Sequence, residues 1–399
     1  MTKPITMTAV MQCVEKGIIG LEDHVSDYIP EFHNMKVRDP DGTVRAATAP
    51  VRVKHLMSMT AGLSYDRRMP ALLEAMRDPH ATTATLVAAM ATEPLLYDPG
   101  TQYKYSFGHD VAARVLEVAT GKTFGEYLKE NIFEPLGMKD TTFRAEAPEL
   151  RARLAAQFKY DKETHTCTPD VFGNEYILSE NYESGGAGLI TTTADYGKFV
   201  SAMSVAFSAE HPVLGHAALD LMRTPQLSDE VAGKYFSQIK WNMGYSYGLG
   251  VRTMKYPEKS GAKSPVGEFA WDGAAGSHGL IDPDNEIALV FMIQVKGCSY
   301  SYEVVYPKIR DMVYEILLDF VGIKHFVFAE GNEGGKGGND GAGAANVDTQ
   351  QQFTVVIGEP RKQNGGGNIA DALAGKGADQ QRALLQQVGK QMVDDGQSG

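Results

Sequence analysis

Three features of this 399-residue sequence predict a mixed α/β (α+β) fold. Helical spacing of apolar residues marks Ile5–Val14, Met69–Met90 and Val111–Thr120. Strand-type patterns then crowd between about 241 and 295, at Leu249–Met254 and Ile287–Val295. An amphipathic helical pattern over Glu303–Val321 follows and would pack on that sheet.

Composition narrows the class. Hydrophobic residues are 43% and charged residues 22% of the chain, enough apolar material for a sizeable soluble core. The net charge of −12 leaves no basic surplus for nucleic acid or an anionic membrane. Cys13, Cys167 and Cys298 are odd in number and lack CxxC spacing, so neither a disulfide framework nor a zinc cluster is expected. No metal or organic cofactor is called for. No apolar run is long enough to span a bilayer. No signal peptide is visible, so the chain as it stands reads as cytoplasmic; a signal lost from upstream would allow a periplasmic or extracellular site. No feature sets an oligomeric state.

The first stretch, Met1-Thr2-Lys3-Pro4-Ile5-Thr6-Met7-Thr8-Ala9-Val10, organises the rest. Ile5, Ala9, Val10, Cys13 and Val14 follow helical spacing, and Gly17 sits where a helix would stop. Pro4 fits only a first turn, where its missing N–H is not needed. Lys3 therefore stands at a helix N-terminus, where unpaired N–H groups favour anions. The stretch resembles the Ser-x-x-Lys helix head of serine β-lactamases, penicillin-binding proteins and related esterases, in the class C-like branch. The resemblance puts the nucleophilic serine one residue before Met1 and makes Lys3 its lysine partner. At i and i+3 a hydroxyl and an amine share one helix face, so the amine can take the hydroxyl proton. The alternative is an ordinary exposed lysine near a terminus.

Downstream segments extend the resemblance. Leu21–Phe32 closes on Pro30-Glu31-Phe32, and Val37–Ala49 reads as an exposed hairpin around Asp39-Pro40-Asp41-Gly42. Val53–Leu63 reads as a helix ending at Gly62, with Ser58 a capping or core hydroxyl because no lysine follows at i+3. Within Met69–Met90, Thr82 or Thr83 can serve as an N-cap. Asp110 would cap the Val111–Thr120 helix and Gly121 would end it. Just before it, Tyr105-Ser106-Phe107 matches the family's Tyr-x-Asn. A tyrosine there would exchange protons with the serine and the leaving group once a nearby lysine lowers its pKa. Phe107 replaces the asparagine that helps bind a β-lactam's acylamide, which favours an ester hydrolase. The bland alternative is a Tyr/Phe pair in a core loop.

Phe133–Phe143 resembles the family as a helix stop and turn. Thr164–Glu180 looks loop-rich and pocket-lining, and the glycines of Ser184–Tyr196 read as structural, leading to a helix capped by Thr193. Ser237-Gln238-Ile239-Lys240 and Ser260-Gly261-Ala262-Lys263 are chance matches to Ser-x-x-Lys. Gly244-Tyr245-Ser246-Tyr247-Gly248 lacks the following helix of a nucleophile elbow, so Ser246 reads as a strand residue.

Trp271-Asp272-Gly273 aligns with the family's third motif, Lys-Thr-Gly or its Trp-x-Gly variant. By resemblance the substrate lies along Trp271, Asp272 and Gly273, with Phe107 beside it, and the Ala274 N–H joins the serine's N–H as an oxyanion donor. Gly273 allows close approach, and Trp271 in place of a cation makes carboxylate recognition less expected. A Gly-rich hairpin with a buried tryptophan is the alternative. His278, beside the same turn, reads as structural.

These motifs identify residues 1–325 as a serine hydrolase domain of the class C β-lactamase/penicillin-binding protein superfamily, esterase-like branch. The implied architecture is β-lactamase/transpeptidase-like: an antiparallel sheet flanked by helices, with a mostly helical region at about 1–240 and the sheet and C-terminal helix at about 241–325. The implied reaction is acyl transfer on a small-molecule ester, a β-lactam or a peptidoglycan-like D-amino-acid peptide. Without the serine, the chain as given is expected to be inactive, and without the family's N-terminal strands it is expected to expose a sheet edge. A non-catalytic ligand- or peptidoglycan-binding module is the second possibility. Residues 326–399 read as a Gly/Gln-rich low-complexity tail, disordered by composition, with a strand-like patch at Phe353–Ile357 and a polar helical pattern at Ile369–Val393.

Overall fold

The computed structural model describes residues 1–145, 148–171, 173–319 and 352–357. The Gly-rich stretch, the helical pattern at Ile369–Val393 and the end of the Glu303–Val321 pattern lie outside them.

Helix α1 spans Thr2–Glu15 and lies at the centre of the molecule. The spacing of Ile5, Ala9, Val10 and Cys13 suggests one apolar face, yet residues Thr2 to Cys13 are buried all round. The hydroxyls among them are all partnered: Thr8 Oγ1 donates to Pro4 O within the helix at 2.8 Å, Thr6 Oγ1 donates to Gly185 O at 2.7 Å, and Thr2 Oγ1 accepts from the Leu189 N–H at 3.2 Å. Gly17 follows in the left-handed region, φ +68°, as its position after the last apolar residue predicts.

Strands β1 (Lys36–Arg38) and β2 (Val44–Ala46) form the expected hairpin, turning at Gly42 with φ +90°. The next helix is Val53–Met57. It stops at Ser58, short of the Gly62 expected from sequence, because Met59 takes a positive φ of 58°. Ser58 Oγ donates to Lys54 O at 2.7 Å, the capping role expected of it. Helices follow at Pro70–Ala75 and Thr83–Ala91, the second capped by Thr82, whose Oγ1 accepts from the Thr85 N–H at 3.2 Å. The helix after Tyr105 begins at Gly108 rather than Val111. Asp110 is thus inside its first turn and not its cap, and its carboxylate is free to bind elsewhere.

Strands β3 (Gln157–Asp161) and β4 (Thr166–Asp170) pair antiparallel, so part of the stretch expected to be loop is a hairpin. Polar, mostly exposed residues gave it no apolar alternation to read. Helix Thr193–Ser204 is capped by Thr192, one residue before the expected cap. Then come β5 (Tyr245–Tyr247), β6 (Arg252–Met254), β7 (Phe269–Ala270), β8 (His278–Asp282), β9 (Ile287–Met292) and β10 (Val295–Lys296). Ser246 lies in β5, and Ser260 ends a short helix instead of starting one. Helix Tyr306–Asp319 follows, and β11 (Gln352–Ile357) comes last.

The main sheet is antiparallel in the order β11-β9-β8-β7-β6-β5. Strand β9 reads as a continuous apolar run because both of its faces are covered. Ile287, Leu289 and Phe291 pack with Tyr306, Ile309 and Tyr314 of the last helix. Ala288 and Val290 point the other way, into the core shared with Phe199, Val200 and α1. An open sheet edge was expected; the outer edge of β9 is paired along its length by β11. Edge N–H and C=O groups find partners there.

Gly250, with φ +85°, sets how closely the sheet approaches α1, because a Cβ there would overlap Met7 and lie 3.1 Å from His109 Cε1. Gly250→Ala combines a left-handed penalty with overpacking, so a loss of about 2 kcal/mol or more is expected in urea unfolding.

Candidate active site

Four segments meet at the N-terminus of α1: the helix itself, the loop carrying Tyr105, the Ser184–Ile190 segment, and the turn between β7 and β8. Lys3 is 1% exposed, so it is not the ordinary surface lysine of the alternative. Its Nζ donates to Gly186 O at 2.6 Å and lies 4.4 Å from the centroid of the Tyr105 ring. Burial lowers the Lys3 pKa to about 8, against the opposing pull of the Asp110 carboxylate. A buried amine of that pKa can carry or accept a proton near neutral pH.

Tyr105 is half-buried and stacks on Trp271, with centroids 5.5 Å apart and planes inclined by 15°. Trp271 Nε1 donates to Tyr105 Oη at 3.2 Å. The phenol proton itself has no acceptor among the described residues. The sequence led to a tyrosine acidified by lysine, and the structure corrects this. Burial pushes the Tyr105 phenol above its ordinary value, and the bond from Trp271 only partly offsets it. Lys3 Nζ sits over the ring face and away from the phenol oxygen's bond to Trp271.

Glycines passed over as structural hold the lysine. Gly186 O accepts from Lys3, and Gly185 O accepts from Thr6 Oγ1 at 2.7 Å. Asp110 fixes this segment: its Oδ1 accepts from Tyr182 Oη at 2.7 Å, Ser184 Oγ at 2.6 Å and the Gly186 N–H at 3.2 Å. Tyr65, also missed, meets Tyr105 edge to face at 5.3 Å. The Gly-Gly pair after Ser184 was the available signal, because only glycine fits there: a Cβ on Gly186 would lie 2.6 Å from Asp110 Oδ2.

At two of the expected substrate contacts the side chain is buried and engaged within the protein. Phe107 is 1% exposed, packed on Tyr65 with centroids 4.6 Å apart, and belongs to the hydrophobic core. An apolar ring is more stable buried there than wetted at a pocket wall. The Asp272 side chain is also engaged: its oxygens accept from Arg252 at 2.6 and 2.9 Å and from His278 Nδ1 at 2.8 Å. Burial pushes this carboxyl up, but Arg252 and His278 outweigh it and hold the pKa at about 2. Asp272 is thus a partner of the protein. His278, 1% exposed and bonded on both sides, is structural as expected.

The remaining positions converge. Asp272 O accepts from the Met1 nitrogen at 3.2 Å. A Cβ on Gly273 would lie 3.2 Å from Met1 Cγ, so glycine lets the turn close onto the helix head. Ala274 is exposed, and its N–H has no partner among the described residues. Lys3, Tyr105 and Trp271 are thus in contact in series, and Gly273 closes onto Met1 at the head of α1.

A sheet flanked by helices, with a buried lysine at the head of the central helix, defines a β-lactamase/transpeptidase-like fold. The chain belongs to the Beta-lactamase family, whose model matches residues 1–300. It is 29% identical over 305 residues to Protein Rv1367c of Mycobacterium tuberculosis, covering 74% of this chain and 76% of that protein. It is 31% identical over 258 residues to lovastatin esterase of Penicillium rubens, covering 62% of this chain and 64% of the esterase. Among solved structures it resembles unliganded simvastatin synthase (LovD) from Aspergillus terreus with a TM-score of 0.66, at 24% identity and covering 79% and 82% of the two chains. The family is one of serine hydrolases and acyltransferases. Among the described residues no helix is long and apolar enough to cross a membrane.

Proposed function

We propose that this site carries out acyl transfer from small uncharged esters, through a serine hydroxyl three positions ahead of Lys3. The observation that carries the assignment is the buried Lys3 amine, 4.4 Å from the Tyr105 ring centroid, on a helix whose first residue meets the turn that carries Ala274. Lys3 accepts the hydroxyl proton as the oxygen attacks the acyl carbon. The N–H groups of the serine and Ala274 stabilise the oxyanion. Tyr105, held protonated, donates to the departing alcohol. Water or a second alcohol then takes the acyl group by the reverse sequence.

Support for an ester comes from the surroundings. Tyr65, Tyr105, Tyr176 and Trp271 give the site an aromatic wall, with Tyr65 and Tyr176 stacked at 4.5 Å. Trp271 stands where the family places a cation for a carboxylate, and Phe107 is withdrawn from the asparagine's role. The name of the Penicillium rubens relative, lovastatin esterase, agrees.

The test compares the 399-residue polypeptide with a version bearing serine directly before Met1, using p-nitrophenyl butyrate. Turnover is expected to rise at least about a hundredfold with the serine. Equal turnover by both would refute the assignment. With Lys3 as base, kcat/KM should climb with pH through about 8 as the amine loses its proton, then level off. A profile flat from pH 6 to 10 would remove Lys3 from that role.

A further inference from the structure

We propose that Asp272, Arg252 and His278 are positioning residues that hold the Gly273–Ser277 turn, and with it the Ala274 N–H, in the conformation acyl transfer requires. The inference rests on the acyl-transfer assignment, although neither side chain of the Arg252–Asp272 pair is offered to substrate. Asp272 stands where β7 gives way to the turn. Its carboxylate joins Arg252 on β6 and His278 on β8, tying three successive strands together at the end of the sheet that faces α1. Arg252 and Asp272 side chains are 3% and 9% exposed, so the pair works in a low-dielectric setting where its geometry is firmly held.

The network continues beyond the ion pair. His278 Nε2 meets Ser301 Oγ at 3.3 Å, and Ser301 Oγ donates to Gly276 O at 2.7 Å. Tyr302 Oη donates to Gly273 O at 2.5 Å and accepts from the Gly276 N–H at 3.1 Å. The Gly273 N–H donates to Ser277 O at 2.7 Å and the Gly276 N–H to Gly273 O at 3.0 Å. Both ends of the turn are thus bound, while the N–H groups of Ala274 and Ala275 at its tip remain without partners among the described residues. A turn that must present a donor gains from such anchoring, because a donor already fixed in place needs no reorganisation as charge develops.

The inference is tested in the serine-bearing chain and in the 399-residue chain. Asp272→Asn should lower kcat about ten- to a hundredfold with KM within about twofold, and weaken binding of an alkyl boronic acid, a mimic of the tetrahedral state, by the same factor as kcat. His278→Ala should act in the same direction. His278→Asn, whose amide can replace the Nδ1–H donor to Asp272, should recover most of the loss. Asp98→Asn is the control, since Asp98 is likewise paired with an arginine, Arg45, but in the remote hairpin; it should leave kcat unchanged. In the 399-residue chain, amide hydrogen exchange at Gly273 and Gly276 should quicken in Asp272→Asn and not in Asp98→Asn. If the serine-bearing parent turns over but Asp272→Asn and His278→Ala match it, the positioning role is wrong. If the parent shows no turnover, the acyl-transfer assignment fails, and unchanged exchange in Asp272→Asn would then remove the anchoring role as well.

Discussion

Lys3→Met in the serine-bearing chain is expected to lower kcat/KM by about a thousandfold or more while making the protein more stable. Both effects come from one group. The amine is the group the proposal makes the base, and methionine has no proton-accepting nitrogen. Its burial also has a cost. Lys3 has a folded-state pKa of about 8 against an ordinary 10.5, so its ammonium form is disfavoured in the folded protein. For a cation with a depressed pKa that penalty is fully present below about 8 and fades as pH rises to 10.5. At pH 7 it amounts to about 3 kcal/mol. Methionine is similar in length and apolar, and it forfeits the bond to Gly186 O, so a net gain of about 1–2 kcal/mol is expected. Urea unfolding at pH 7 and pH 10 checks this, because the advantage of Lys3→Met should shrink at the higher pH. A destabilised Lys3→Met at pH 7 would mean that the lysine is held for structure.

Arg252→Met should destabilise the fold by about 3–5 kcal/mol, the usual effect of leaving a buried charge without its partner. Asp272 would keep only His278, itself pushed toward neutrality by burial despite the pull of Asp272. The pH dependence separates this from lost packing. Asp272 has a folded-state pKa of about 2 against an ordinary 3.8, so its contribution is present above pH 4 and is lost as pH falls toward 2. The wild-type chain should therefore lose about 2 kcal/mol from this group over that interval, and Arg252→Met should lack most of that slope. The double variant Arg252→Met/Asp272→Leu should recover much of the stability without recovering kcat, because an apolar pair can replace a buried ion pair in packing but not in geometry.

The local signals for α1 were strong and the structure follows them: Pro4 at the first turn, apolar residues at helical spacing, Gly17 at the end. The Asp39–Gly42 hairpin and the Gly121 stop were equally legible, since each needs a backbone conformation that few residues adopt. Of the proposed site, Lys3, Tyr105, Trp271 and Gly273 are the positions that a motif carried. Burial, which no short motif encodes, decided the rest. It placed Phe107 in the core, pushed the Tyr105 phenol above its ordinary value and set the Asp272 carboxylate at the centre of a network. Gly186 and Asp110 were missed because their part in the site arises from contacts between residues far apart in sequence. Arg252, a lone charge in the Tyr245–Met254 strand region, was the clue to the buried pair. The β3–β4 hairpin was invisible because its exposed polar strands carry no periodic apolar signal. The edge strand β11 was visible only as a patch, since pairing with β9 depends on a partner about sixty residues away.

Covalent labelling with an alkyl fluorophosphonate tests the central claim most directly, because the reagent marks a serine only where a base and oxyanion donors act on it. In the chain bearing serine before Met1, peptide mass spectrometry should find the label on that serine, with Lys3→Met abolishing it and Asp272→Asn slowing it. Label on Ser58, Ser246 or another internal serine, or equal labelling with and without Lys3, would contradict it.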